Sequence, residues 1–450
     1  MTSPLAGDAD AQASVARLKS WVVAEALPLW AETGFDKARG SFIERLSFEG
    51  APLHAMPRRA MVQARQTYVF SHAALLGWRP EGEAQALRAA HRLIDRYHMA
   101  DGGHGWVFSV HPDGAVHDAR RDFYAHSFAL FGLAWAYKLA PEPRFLSAAL
   151  DTLSVLDRHF ESPTGGYHSV LPADHGKREQ NPHMHLFEAM LAWFEATGRE
   201  MFLARAAELY GMMAARFFQH RTGVLAEYFD GAWNPREGIH GRICEPGHHF
   251  EWSWLLRRYA KLSGRGDSPI AQALKAFGDR HGFDAEGFVV DELLDDGRVH
   301  KPSRRSWPHT EAIKAEAAAF ETGDAEALGR AARTVDRLLK IFLGRPVAGG
   351  WIDHVDANGA PLVDFIPAST LYHVFLAAAE ADRVWRRQET PESNSQALSL
   401  DLVLRSAEGA SRKPALSLSK GTFQSARTAS PSGPSFDTPA SRAAQDEDGG

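Results

Sequence analysis

Helix-period apolar patterning runs through most of this 450-residue chain, broken at intervals by short runs that alternate apolar and polar positions. The segments QARQTYVFSHAALLGW, FYAHSFALFGLAWAY, MHLFEAMLAWFEATG, HHFEWSWLLRRYAKLSG, HTEAIKAEAAAFETG and TLYHVFLAAAEADRVW read as helices. Stretches such as FALFGLAWAY and EAMLAWFEA are apolar on nearly every side, as a helix enclosed by others must be. Between them lie more amphipathic helical segments, for example ALRAAHRLIDRYH and MFLARAAELYGMMAARFF. Near the N-terminus, SVARLKSWVVAEALPLW places Val15, Leu18, Trp21, Val22 and Ala26 on one stripe and predicts the first outer helix.

A glycine-plus-aromatic punctuation separates these pairs at intervals of roughly 60 residues. It begins at Arg39, Gly102, Gly165, Gly223, Gly287 and Gly349, and most copies hold a turn of the Asp-Gly or Asn-Gly kind between two short runs. That is the pattern of a β-hairpin. The predicted architecture is therefore all-α: an (α/α)6 barrel with short β-hairpins in the loops at one end. Residues 14–388 form the barrel, residues 1–13 a flexible N-terminus, and 389–450 a tail. The tail is rich in Ser, Pro and Ala, with only Phe423 and Phe436 as aromatics, and is expected to be disordered.

Composition narrows the function. With 50 basic and 56 acidic residues, a net charge of −6 and no basic block, the chain is not expected to bind nucleic acid. FALFGLAWAY is far short of the roughly 20 residues that span a bilayer, so no membrane partner is expected. The lone cysteine, Cys244, forms no internal disulfide and suits a reducing compartment. The opening MTSPLAGDADAQ does not read as an export signal, so the expected location is cytoplasmic. Twelve tryptophans and 22 histidines favour a site with flat aromatic faces and groups that exchange protons near neutrality.

Aligned by their hairpins, the six units present Arg65, His126, His185, His248, Glu311 and His373 near the starts of the inner helices. Inner-helix starts in a closed ring aim at a common centre, so these groups are expected to converge. His126 also reads as a satisfied core histidine within its apolar run. Positions i and i+2 point apart on a helix, so His185 is preferred to His183, and His248 is likewise separated from His249. Glu251 and Glu188, each three residues beyond His248 and His185, share their faces and can hydrogen-bond those imidazoles. Trp106, Trp233, Trp307 and Trp351 fall on or near the hairpins, and Trp307 and Trp351 are candidates for substrate contact. Arg65, set among apolar neighbours, requires an anion, a carboxylate or a polar substrate. Metal binding competes for His185, His248, His373 and Glu251, but no HExxH motif is present and the histidines are scattered one per unit, so neither metal nor cofactor is expected. An (α/α)6 glycoside hydrolase would need two flanking carboxylates, whereas these positions are mostly histidine.

The motifs ARQTYVFSHAA, NPHMHLFEAMLAW, EPGHHFEWSWLL, RSWPHTEAIKA and GGWIDHVDANG…LYHVFLA resemble the N-acylglucosamine 2-epimerase family, most nearly its bacterial mannose isomerase branch, over about residues 14–388. The resemblance implies the same barrel and a metal-independent acid/base enzyme acting at C1 and C2 of a free monosaccharide. The family's two histidines fall on His248 and His373, its arginine on Arg65, the histidine of NPHMH on His185 and the glutamate of FEW on Glu251. His126, Asn181, Glu188, Trp307, Glu311 and Trp351 are the expected substrate contacts. The expected chemistry is exchange of an aldose and a ketose of the D-mannose/D-fructose type through a cis-enediolate. In that reading Glu251 orients His248, and Arg65 and His185 hold the oxyanion. A 2-epimerase with the same site is the alternative, and a mannose-6-phosphate isomerase a third. Homodimerisation stays open on this reading.

Overall fold

The computed structural model of the chain describes residues 6–173 and 178–389, all within one compact unit. The tail expected from residue 389 therefore lies, beyond Glu389 itself, outside the described residues. The first helix, α1 (Ala6–Trp21), begins ahead of Ser14. It continues through a π-helical turn, Val22–Ala26, into α2 (Leu27–Glu32). The pairs that follow are α3 (Ala60–Leu75) with α4 (Glu83–Tyr97), and α5 (Phe123–Leu139) with α6 (Pro143–Val155). Next come α7 (Asn181–Thr197) with α8 (Glu200–Met212), and α9 (Pro246–Leu262) with α10 (Pro269–His281). The last are α11 (Ser306–Glu321), α12 (Ala327–Ile341) and α13 (Leu371–Glu389).

Each odd-numbered helix from α3 to α11 packs on the next odd-numbered one, and α13 returns to α3, which closes the inner ring. The even-numbered helices from α4 onward back their partners, and α1 lies against α12 and α13. The burial follows the sequence pattern. Inner helix α5 is buried without a break from Ala125 to Ala136. Outer helix α4 buries Ala86, Ala89, Ala90, Leu93, Ile94 and Tyr97, a stripe of helical period. Contact in the inner ring is close enough to demand glycine at one point: a Cβ on Gly132 of α5 would sit 2.6 Å from the Ala64 carbonyl oxygen of α3.

The loops contain the expected hairpins, such as Ser109 with Asp118 and Leu293 with Val299. They also contain a second set of pairings that the sequence does not show. The residues just before each inner helix pair with the loop of the following unit: Arg58 with Val110, Arg121 with Leu171, Arg178 with Phe229, Cys244 with Leu293, and Arg304 with Val355. The circuit closes where Ile366 pairs with Leu46. A girdle of two- and three-stranded ladders thus encircles the end at which the inner helices begin.

A buried side chain near the start of five inner helices pins the loop above it. In α5, α7, α9 and α11 it is a histidine: Nδ1 of His126, His183, His249 and His309 bonds the carbonyl four residues earlier. The opposite nitrogen, Nε2, accepts from a loop N–H, that of Trp106, Tyr167, Leu225 and Val289 respectively. Gln63 does the same work in α3, exchanging two hydrogen bonds with the Phe42 backbone at 2.8 and 3.0 Å. Burial lowers the affinity of these imidazoles for protons, to a pKa of about 3 for His126 and His183 and about 4 for His249 and His309. Each stays neutral, as a ring that accepts at one nitrogen must.

Candidate active site

These pins set the register of the site. The residue two places beyond each one lies in the inner ring: Arg65, Phe128, His185, Glu251 and Glu311. This corrects the alignment drawn from the sequence. His126 is a loop pin rather than a substrate contact, and Phe128 holds its place; the Arg65 guanidinium lies 4.2 Å from the Phe128 ring centre. His248 stands one turn before Glu251, so both contribute from α9. Trp351 is likewise corrected. Fully buried and stacked on Trp30 at 5.3 Å, it anchors its loop to the first outer helix. Trp106 plays that part in the second unit, donating from Nε1 to Thr152 of α6. Trp233 donates to the Gly165 carbonyl and also serves its loop.

Trp307, the second residue of α11, is different. Its indole packs against both His248, at 5.1 Å between ring centres, and His373, at 5.7 Å. The two histidines approach it with opposite proton affinities. Nδ1 of His248 lies 2.9 Å from Oε2 of Glu227, a loop residue that the sequence reading missed. Gln180 donates to the same oxygen at 2.8 Å, and Trp252 fixes Gln180 by donating to its Oε1 at 2.6 Å. Burial opposes a charge on His248, but Glu227 and Glu245 outweigh it and raise its pKa to about 9. Glu227, not Glu251, therefore orients His248. Glu245 is itself pushed up to about 7 by burial, against the pull of His248 and Arg305.

On the other side, Nδ1 of His373 lies 2.8 Å from Oε1 of Glu311. Burial, reinforced by Arg65 and Lys314, holds His373 well below the ordinary histidine value, so its ring is neutral. Glu311 is thus the partner of His373. Lys314 Nζ stands 2.5 Å from Oε2 of Glu311 and 3.8 Å from Oε1 of Glu251.

Two further groups complete the floor. His185 meets Glu188 at 3.1 Å, and the Tyr372 hydroxyl donates to both Glu188 oxygens at 2.7 Å. Glu188 therefore orients His185 and Tyr372. Arg65 donates to the Tyr124 hydroxyl at 2.5 Å and weakly to the Ser369 carbonyl at 3.4 Å, while its Nε is buried without a hydrogen bond. No carboxylate pairs with this guanidinium among the described residues. Asn181, at the start of α7, likewise keeps Oδ1 buried and unbonded.

Three sets of donors lie close enough to surround a cation: His185, Glu188 and Glu251; Glu227, Glu245 and His248; and Glu251, Glu311 and His373. Lys314 faces Glu251 and Glu311, which belong to the first and third sets, and the protonated His248 faces Glu227 within the second. The missed residues differ in how they could have been found. Lys314 follows Glu311 by three positions, a readable helix-face spacing. Glu227 comes from another element, and no local pattern marks it.

Fold and site together place the protein among the enzymes built on an (α/α)6 barrel. The pattern of N-acylglucosamine 2-epimerase (GlcNAc 2-epimerase) matches residues 40–377, and the chain belongs to that family. It is 35% identical over 392 residues to a mannose-6-phosphate isomerase of Rhizobium meliloti, covering 84% of this chain and 99% of the relative. It is 30% identical to a D-mannose isomerase of Thermobifida fusca, over 70% of this chain and 82% of the relative. The solved structure of a cellobiose 2-epimerase from Spirochaeta thermophila superimposes with a TM-score of 0.76 at 23% identity, covering 86% of this chain and 100% of that one. The protein is accordingly an enzyme of the carbohydrate isomerase and epimerase class. No helix among the described residues is long and apolar enough to cross a membrane.

Proposed function

We propose that the enzyme interconverts an aldose and a ketose of the D-mannose/D-fructose type by proton transfer through a cis-enediolate, without a metal. The observation that carries this reading is the pair of imidazoles on Trp307, one held protonated and the other neutral. A proton donor and a proton acceptor face the same space, which enolisation requires. His373 takes the proton from C2 of the open-chain aldose, and the electron pair moves into the C1–C2 bond. His248 protonates the carbonyl oxygen at C1. The hydroxyl at C2 then returns a proton to His248 as its oxygen becomes the new carbonyl, and His373 delivers its proton to C1.

Arg65 supports the step by offering charge to the developing oxyanion, the kind of preset electrostatic help that often outweighs proton transfer itself. The inner helices add to this, since their N-termini all open on the same end of the barrel. His185, held by Glu188, supplies a further donor.

The relative named as a mannose-6-phosphate isomerase favours a second reading, in which the hexose carries a phosphate. One experiment separates the outcomes. Mannose, fructose, mannose 6-phosphate and N-acetylmannosamine are each incubated with the enzyme in D₂O, with EDTA present. Deuterium at C1 of a ketose product supports the first reading, and turnover of the phosphorylated sugar alone supports the second. Deuterium at C2 of an epimeric aldose would show 2-epimerisation instead.

A further inference from the structure

Lys314 is buried completely, with a side-chain exposure of 0%. Beyond Glu311 and Glu251, its ammonium meets the Trp254 ring at 4.1 Å. A charge removed from water in this way is tolerated only for what it neutralises. The groups around it can be counted. Glu188 comes from α7, Glu251 from α9 and Glu311 from α11 itself, against two fixed cations, Lys314 and Arg65 of α3. The remaining neighbours are the Tyr372 hydroxyl, the imidazoles of His185 and His373, and His248, whose charge is balanced by Glu227. Three carboxylates against two cations leave one negative charge in excess, so the floor readily gains a proton.

The place of that proton decides whether His373 can work. With Glu311 ionised, Nδ1 of His373 keeps its hydrogen and Nε2 is a free base. With Glu311 protonated, the carboxyl donates to Nδ1 and the ring's hydrogen moves to Nε2, which can no longer accept. We propose that Lys314, in contact with the carboxylate that meets Nδ1 of His373, is a positioning residue whose charge favours the ionised form of Glu311 and thereby the form of His373 with Nε2 free to act as the base. Burial and the neighbouring Glu251 raise the Glu311 carboxyl well above the ordinary carboxylate value, and the ammonium at 2.5 Å is the chief influence drawing it back down. Lys314 itself is held charged: burial works against its proton, and Glu311 and Glu251 prevail. This inference rests on the assignment of His373 as base.

The test uses the full chain carrying Lys314→Met, Lys314→Arg, Glu311→Gln and the Lys314→Met/Glu311→Gln pair. Lys314→Met is expected to lower kcat by about 10² or more with little change in KM. It should also raise the acid limb of the kcat/KM profile by about one pH unit or more, because Glu311 then holds its proton longer. Lys314→Arg should leave that limb in place. Glu311→Gln mimics the protonated carboxyl, and adding Lys314→Met to it should cost nothing further. An unmoved acid limb in Lys314→Met, or additive losses in the double variant, would overturn the proposal. If the wild-type enzyme turns over no sugar, the isomerase reading fails. The Lys314 inference is then decided by ¹⁵N NMR of His373. A tautomer shift from Nδ1–H to Nε2–H in Lys314→Met sustains it, and an unchanged tautomer sinks it.

Discussion

Glu227 and His248 face each other at 2.9 Å in a fully buried contact, and Gln180 and Trp252 leave Glu227 no freedom to turn away. The imidazole is therefore held in place and protonated at neutral pH. Glu227→Gln should move the alkaline limb of kcat down from about 9 toward the ordinary histidine value near 6.5. The folded protein also binds this proton more tightly than the unfolded chain, where histidine titrates near 6.5. The contact thus contributes stability that is fully present below about 6.5 and lost as pH rises through about 9. Urea titrations at pH 6 and pH 9.5 should show that loss in the wild type and much less of it in Glu227→Gln.

His373→Asn removes the acceptor while keeping a side chain of similar reach. It should lower kcat by about 10² to 10⁴ and leave KM nearly unchanged. Deuterium exchange from solvent into the sugar should disappear with it. Survival of that exchange would show that the base lies elsewhere.

Replacing His126 separates a structural histidine from a chemical one. His126→Ala leaves the Trp106 N–H buried without its acceptor, a loss of about 1 to 3 kcal/mol before any cavity is counted. Chemical denaturation should register it, while kcat per folded molecule stays close to that of the wild type. A large fall in kcat with unchanged stability would return His126 to the substrate.

Chelation offers a fourth check. The carboxylates near His373 already face the Lys314 ammonium, and His248 carries the proton that balances Glu227. Prolonged dialysis against EDTA should leave activity unaltered. Activity lost on dialysis and restored by a divalent ion would show that one of the three donor clusters holds a cation.

The barrel was legible because its pattern repeats: glycine-aromatic punctuation and unbroken apolar helices such as α5 leave few other architectures. The residue types of the site were legible for the same reason. Their partners were less so, because two different jobs use histidine within a few residues of each other. His126 and His183 pin loops, His185 faces the ring, and only the fold shows which task each one has. The spacing of His248 and Glu251 pointed to a local pair on one helix face, yet the carboxylate that reaches Nδ1 arrives from the loop containing Glu227. Contacts between distant elements leave no periodic trace in a sequence.

The girdle of strand ladders closes only when Phe365–Pro367 meets Arg45–Ser47. Arg65 of α3 and His373 of α13 are therefore brought together only after the sixth unit has docked on the first. On the proposed reading, a polypeptide still emerging from the ribosome should hold most of these side chains but no working centre. Catalytic competence should appear in a single late event during synthesis, rather than growing unit by unit.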